Sequence, residues 1–272
     1  MEIFSQAVVL AIANQKGGVG KTTTALNLAV GLKRLGKRVL AIDSDPHGNL
    51  TQGFGFPIQD LKVSLRDLIE NRTGPSKEFI LSTSSGVDLI PANPTLAKTA
   101  RWMATQTNGE LRLKQRIAEL RTQYDFILID SCPGLGTLLN STLNASDRVL
   151  IPIDASFFGY MGVKELLNEV DEIKLGTNPA LKVLGFLLTL TDRTLICQEI
   201  HEVLLSKYQQ LVFDTQIRRC VSLKESPGLG QDIYRYSPKC VGALDYSALT
   251  LETVSRLGAV SNRSEASEAY RG

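Results

Sequence analysis

The stretch that most constrains this chain is Asn14 to Thr24, NQKGGVGKTTT, set between a continuous apolar run, Ala7 to Ala13, and a segment with apolar residues at helical spacing, Thr22 to Leu35. A buried strand, a glycine-rich turn and a helix in that order read as a phosphate-binding loop feeding off a parallel sheet. Gly17, Gly18 and Gly20, with Val19 between them, let the backbone curl so that successive amides point inward, and the helix behind them offers its N-terminal dipole to an anion. In such a loop Lys21 neutralises the β- and γ-phosphates of ATP. The Thr22 hydroxyl ligates magnesium, Mg2+, and Thr23 adds a further hydroxyl contact. One departure stands out. Gln15 occupies the place of the opening glycine of G-x-x-x-x-G-K-[ST], and beside it is a second lysine, Lys16.

Similar apolar runs recur at RVLAID (38–43), FILID (126–130), RVLIPI (148–153) and KVLGFLLTL (182–190), separated by helix-like segments near 109–121, 160–175 and 194–208. Strand and helix in alternation predict an α/β fold: a doubly wound, mostly parallel sheet with helices on both faces. The interval 54–108 is punctuated by Pro and Gly and reads as an elaboration of the same domain with one short strand near 87–90. A last helix is expected from about Lys239 to Leu257. The polar stretch 259–272 lacks apolar periodicity and is expected to be disordered, which leaves one domain over 1–258.

Composition adds exclusions more than assignments. A net charge of +2 announces neither a nucleic-acid nor a membrane partner, so any basic surface must come from local clustering. The four cysteines, Cys132, Cys197, Cys220 and Cys240, are scattered without a C-x-x-C pair, which argues against structural zinc and reads as small core residues in a reducing cytoplasm. No apolar segment approaches the roughly 18 residues of a membrane span.

A triphosphatase also needs an acid at the end of a neighbouring strand to hold magnesium, usually through water. Asp130, closing FILID, supplies it, and SCPGLG after it is a turn able to sense the γ-phosphate. In AIDSDPHGNLT a strand runs into Asp43 and Asp45 and then a turn. Acids beside a triphosphate are costly unless they face metal or water, so one of the two is expected to orient the attacking water and the other to support the metal shell.

KGGVGKTT, DSDPHGNLT and FILIDSCP together resemble the deviant Walker-A ATPases of the ParA/MinD family, and most closely its Soj-like partition branch, over about residues 7–258. The late segment IRRCVSLKESPGLGQDIYRYSPKCVGALDYSAL resembles that family's C-terminal block. The resemblance implies a P-loop fold and slow, Mg-dependent hydrolysis of ATP. It casts Lys16 as the signature lysine that reaches the nucleotide of a second subunit in an ATP-sandwich homodimer. Lys21, Thr22 and Thr23 match the ordinary loop contacts, Asp45 the acid that positions the hydrolytic water, and Asp130 the magnesium-associated acid, with Asp43 beside it. His47 and Cys132 depart from the family's usual residues, inside segments that would control hydrolysis.

The same resemblance implies non-specific binding of double-stranded DNA, a ParB-like or other adaptor that stimulates hydrolysis, and a cytoplasmic, nucleoid-associated protein that segregates chromosome or plasmid DNA. Candidates for the DNA surface are Arg193, Arg218, Arg219, Lys224 and Lys239, since such binding is phosphate neutralisation by clustered Lys and Arg. Arg219 also falls in a stretch that in the family passes close to the adenine. Three alternatives compete. A ParA-like ATPase could position a protein assembly instead of DNA. A MinD-like enzyme would dock on membrane through a C-terminal amphipathic helix, but SNRSEASEAYRG has no apolar stripe, so no membrane partner is expected. An iron–sulfur carrier ATPase would need cysteines placed for a cluster.

Overall fold

The structure is a computed structural model that describes residues 6–71 and 73–269; for 157–161 and 259–269 only the backbone is described. Eight strands form one sheet: β1 (Val8–Ile12), β2 (Val39–Ser44), β3 (Leu81–Ser82), β4 (Asp88–Ile90), β5 (Phe126–Ser131), β6 (Arg148–Asp154), β7 (Lys182–Thr191) and β8 (Ile217–Arg218). Their spatial order is β3-β4-β2-β5-β1-β6-β7-β8. Every neighbouring pair is parallel except the edge pair of β3 and β4, which is antiparallel. This is the expected α/β architecture.

Strand alternation sorts the core onto the two faces of the sheet. On one face Leu10, Ile12, Val39, Ala41, Phe126 and Leu128 meet Leu26, Leu28 and Leu32 of the helix Lys21–Arg34 and Tyr246, Leu249 and Leu257 of the last helix. On the other face Val9, Leu40, Ile42, Ile127 and Ile129 pack on the helices Leu65–Glu70, Leu96–Ala104 and Arg112–Ile117. Ala11, Val149, Ile151 and Leu188 pack on Thr137–Ala145, Phe157–Leu175 and Leu195–Tyr208. Each fully buried Leu, Ile or Phe contributes roughly 1.5–3 kcal/mol, so both helical layers are held by the sheet's own alternation.

The interval 54–108 adds more than one short strand. β4 sits beside β2 and pairs with β3, so this segment forms one edge of the main sheet. The expected helix at 109–121 is a short α-helix, Arg112–Ile117, flanked by 3-10 turns at Gly109–Leu111 and Ala118–Leu120. The final helix is assigned to Val241–Ala269. Its backbone therefore continues past the boundary placed at 258, and residues 270–272 of the expected tail lie outside the described residues. Leu257 is its last side chain described as buried in the core.

Candidate active site

β1 lies between β5 and β6, and its C-terminal end delivers the glycine loop to the centre of the sheet. The loop is tied to three other strand ends. Buried Asn14 donates from Nδ2 to the Pro152 carbonyl at 2.7 Å and accepts the Lys16 amide at 3.0 Å. The Gly134 amide, after β5, donates to the Gln15 carbonyl at 2.8 Å, and Thr189 Oγ1, on β7, donates to the Val19 carbonyl at 2.9 Å. Gly18 and Gly20 have φ of 77° and 82°, a left-handed conformation that side chains rarely adopt. A Cβ at Gly17 or Gly18 would meet nothing within 4 Å, so the concave side of the loop opens onto free space. Lys21 is buried, and its Nζ donates to the Lys16 carbonyl at 2.9 Å. Burial lowers its pKa, while Asp130 and Asp45 nearby favour the charged form.

The strand register sets Asp43 of β2 directly against Asp130 of β5, yet the two acids are in opposite situations. Asp130 is fully buried and neither carboxylate oxygen receives a protein hydrogen bond. Burial and the neighbouring Asp43 raise its pKa well above the usual carboxylate range, against the pull of the Thr22 hydroxyl and Lys21. An unpartnered buried carboxylate is costly, and a cation placed beside it would remove that cost. Asp43 has both oxygens engaged: Oδ2 accepts from the Thr51 amide at 2.8 Å and the Thr51 hydroxyl at 2.7 Å, and Oδ1 accepts from the Asp45 amide at 3.1 Å. These donors brace Asp43 against the Asp45 turn and the Thr51 helix end. Burial pushes its pKa up to about 6 in spite of them.

Asp45 is nearly buried, and one of its oxygens accepts from the His47 amide at 2.9 Å and lies 2.8 Å from His47 Nδ1. His47 is thus a partner of the proposed water-positioning acid as well as a turn residue. Lys16 does not point into open solvent. Its Nζ donates to both oxygens of Asp154, at 2.9 and 2.8 Å, and to Ser156 Oγ at 3.2 Å. Asp154 closes the apolar run RVLIPID just as Asp130 closes FILID, and that strand-terminal position is the sequence signal that marks it.

Above these groups lies a cavity of ≈ 850 Å³ lined on one side by Gly17, Gly18, Gly20, Lys21, Thr22, Thr23 and Asp45 and on the other by Arg219, Leu223, Lys224, Pro227 and Gly228. The late block is therefore a wall of the same cavity. Asn27, on the helix after the loop, fixes that wall by accepting the Ile233 amide at 2.8 Å. Of the five candidates for a DNA surface, Arg219 and Lys224 line this cavity, and Arg219 Nε lies 3.3 Å from Asp192. Arg218 is held by Asp245 through its backbone amide and its guanidinium. Arg193 and Lys239 are exposed, with no ion pair among the described residues. Also among the described residues, no three His, Cys, Asp or Glu side chains gather into a metal-binding group, and no helix is long and apolar enough to cross a membrane.

Known proteins resemble this chain in sequence and fold. The AAA domain family matches residues 7–183. The chromosome-partitioning ATPase Soj of Thermus thermophilus is 37% identical over 91% of this chain and 96% of its own. The sporulation initiation inhibitor protein Soj of Bacillus subtilis is 36% identical over 91% of this chain and 98% of its own. Among solved structures, cobyrinic acid a,c-diamide synthase from Mycobacterium smegmatis with bound ADP and magnesium superposes with a TM-score of 0.78 at 32% identity, covering 90% of this chain and 92% of that one.

Proposed function

The chain belongs to the AAA domain family and to the ParA/Soj partition ATPases, and from that premise we propose that it is an ATP-hydrolysing dimeric switch that positions chromosome or plasmid DNA. In this reading the ATP-bound dimer binds double-stranded DNA without sequence preference in the cytoplasm, on the nucleoid. A ParB-like partner on the cargo then stimulates slow hydrolysis and release.

The observation that carries the reading is the buried Asp130 carboxylate, without a hydrogen-bond partner on either oxygen, beside Thr22 and Lys21 at a cavity lined by the glycine loop. A hard oxygen donor without a protein partner, next to a hydroxyl, suits magnesium, with Thr22 and Asp130 as the residues that would hold it. When bound, that ion supplies neutralisation of the charge on the β- and γ-phosphate oxygens. The amides of Gly17 to Thr23 cradle the phosphates and Lys21 grips them. Arg219 and the wall from Leu223 to Gly228 enclose the base. Asp45, steadied by His47 and by the Asp43 brace, orients the attacking water. Lys16 crosses to the phosphates of the second subunit, turning repulsion between two facing triphosphates into attraction, and ADP gives it less to hold.

The test is retention of duplexes of unrelated sequence by the protein with ATP, with ADP and without nucleotide. Similar affinities that require ATP and fall with salt support the reading. No retention at low salt with ATP refutes the DNA function. Asp45→Ala is expected to keep ATP and dimerise without turnover, and a wild-type rate of phosphate release in that variant would remove Asp45 from the chemistry.

A further inference from the structure

A second cavity, of ≈ 320 Å³, shares no lining residue with the nucleotide cavity. Small-molecule sites occupy about 300–1,000 Å³, so it is large enough to hold a ligand. Three elements meet around it: the 3-10 turn Gly109–Leu111, the helix Thr137–Ala145 and the C-terminal end of the helix Phe157–Leu175. Each supplies acceptors. Glu110 comes from the turn, Asn140 and Asn144 stand one helical turn apart on the first helix, and Glu169 and Glu172 do the same on the second. No lysine or arginine lines the cavity, and none of the three glutamates has an ion pair or a side-chain hydrogen bond among the described residues.

The amides carry the argument beyond a group of surface acids. Asn144 is fully buried and lines the cavity. Its Nδ2 donates to the Asn140 carbonyl at 3.0 Å, which identifies Oδ1 as the other end of the amide, and that oxygen accepts no hydrogen bond. Asn140 Oδ1 is unmatched in the same way. Buried acceptors without donors are costly, and a ligand that brings donors removes the cost. The backbone adds to the sign of the site. The Gly176 amide closes on the Glu172 carbonyl at 3.0 Å and the Thr177 amide on the Ile173 carbonyl at 3.0 Å, and both Gly176 and Thr177 line the cavity. The negative end of that helix's dipole therefore lies beside the carboxylates.

We propose that this cavity binds a linear polyamine, a chain of ammonium groups joined by methylenes. Carboxylates and unmatched amide oxygens call for a ligand with positive charge and N–H donors. A metal ion does not meet that need: the three carboxylates stand on separate elements, and no three His, Cys, Asp or Glu side chains among the described residues gather closely enough to hold one. A single amine would answer one carboxylate and leave the others without a cation. A diamine or triamine spreads its charges as the glutamates are spread, and lays its methylenes on Ala104 and Ile173. Because no residue lines both cavities, the proposal stands independently of the ATPase reading, and nucleotide affinity serves as its control.

The experiment is calorimetric titration of the full chain, without nucleotide and at low salt, with spermidine, putrescine, butylamine and magnesium chloride in turn. Spermidine should bind saturably at one site and putrescine more weakly, with butylamine and magnesium giving no saturable heat over the same range. The affinity should fall as salt rises. Glu110→Gln, Glu169→Gln and Glu172→Gln should each weaken spermidine several-fold. The triple variant should lose saturable binding while holding a fluorescent ATP analogue as tightly as wild type does. These near-isosteric changes remove charge from side chains that make no hydrogen bond in the fold, so unfolding midpoints should stay at the wild-type value; if the triple variant unfolds, the single variants decide. The proposal is overturned if spermidine shows no saturable binding, if the glutamine variants keep wild-type affinity, or if magnesium saturates the site equally well. A wild-type chain that takes spermidine but not the ATP analogue overturns the ATPase reading and leaves the polyamine site standing.

Discussion

Replacing Asp154 by Asn should make the ATP-dependent dimer tighter. In the monomer Lys16 Nζ is clamped by both Asp154 oxygens and by Ser156, with the lysine side chain 34% exposed and that of the aspartate 17%. If Lys16 must reach a partner's nucleotide, each subunit has to break this pair first. A partly exposed, bidentate ion pair contributes about 1 kcal/mol after solvent screening. Two are broken per dimer, so removing them contributes about 2 kcal/mol to association, roughly a 30-fold lower dissociation constant. Sedimentation equilibrium with a non-hydrolysable ATP analogue measures it directly. The gain should shrink as salt rises, because the wild-type pair is itself screened. It should also vanish in the Lys16→Ala, Asp154→Asn double variant, which has no lysine to release. An unchanged or weaker dimer in Asp154→Asn would refute the idea that the pair restrains Lys16.

Asp130→Asn removes an unpartnered buried carboxylate, so the magnesium-free protein should gain about 1–3 kcal/mol in urea unfolding at neutral pH while losing phosphate release; a less stable variant would contradict the unpartnered-charge argument. Asp43 has its pKa raised from an ordinary 3.8 to about 6. Its contribution is therefore complete below about pH 4 and lost as pH rises through about 6, some 3 kcal/mol over that window. Urea titrations of magnesium-free protein should show wild type losing more stability across it than Asp43→Asn, and parallel profiles would place the raised pKa elsewhere. Gly31→Ala, ordinarily favourable in a helix, should here cost about 1–3 kcal/mol in thermal unfolding, because a Cβ would overlap Thr250 Oγ1 and sit 2.9 Å from the Tyr234 hydroxyl oxygen; a stabilised variant would mean the two helices can separate freely.

The central strands were legible because burial on both faces forces nearly continuous apolar runs: β1, β2, β5, β6 and β7 fall within a residue or so of the runs AVVLAIA, RVLAID, FILID, RVLIPI and KVLGFLLTL. The edges were not. β3 and β8 span two residues each, too few for any alternation to show, and they exist because a neighbouring strand offers hydrogen bonds. The same limit hid the helices Leu65–Glu70 and Leu96–Ala104, whose short periodic stretches are interrupted by the turn residues between them. β4 was readable as a strand, but its place beside β2 was not, since pairing is a property of two distant segments.

The site divides along the same line. Residue types that chemistry demands at fixed spacing, Gly17 to Thr23 with Asp45 and Asp130, could be read one segment at a time. What each acid does depended on partners elsewhere in the chain. Asp43 and Asp130 look equivalent as strand-terminal acids and are cross-strand neighbours, yet Thr51 donates twice to one, while the other has only the Thr22 hydroxyl and Lys21 nearby and no hydrogen bond at either oxygen. In the proposed function that difference makes Asp130 the acid offered to a cation, while Asp43 braces the Asp45 turn. Lys16 follows the same logic: its sequence context suggests a lysine for another subunit, while Asp154, 138 positions away, gives it a partner at home. A lysine held only by a partly exposed pair is stable enough to keep the monomer's rim neutral. It is weak enough to yield to a triphosphate, whose greater charge at lower effective dielectric outcompetes a single carboxylate. In the proposed dimeric switch, the strength of that cis pair, more than the presence of the second lysine, therefore sets how much ATP-driven attraction is left to close a dimer.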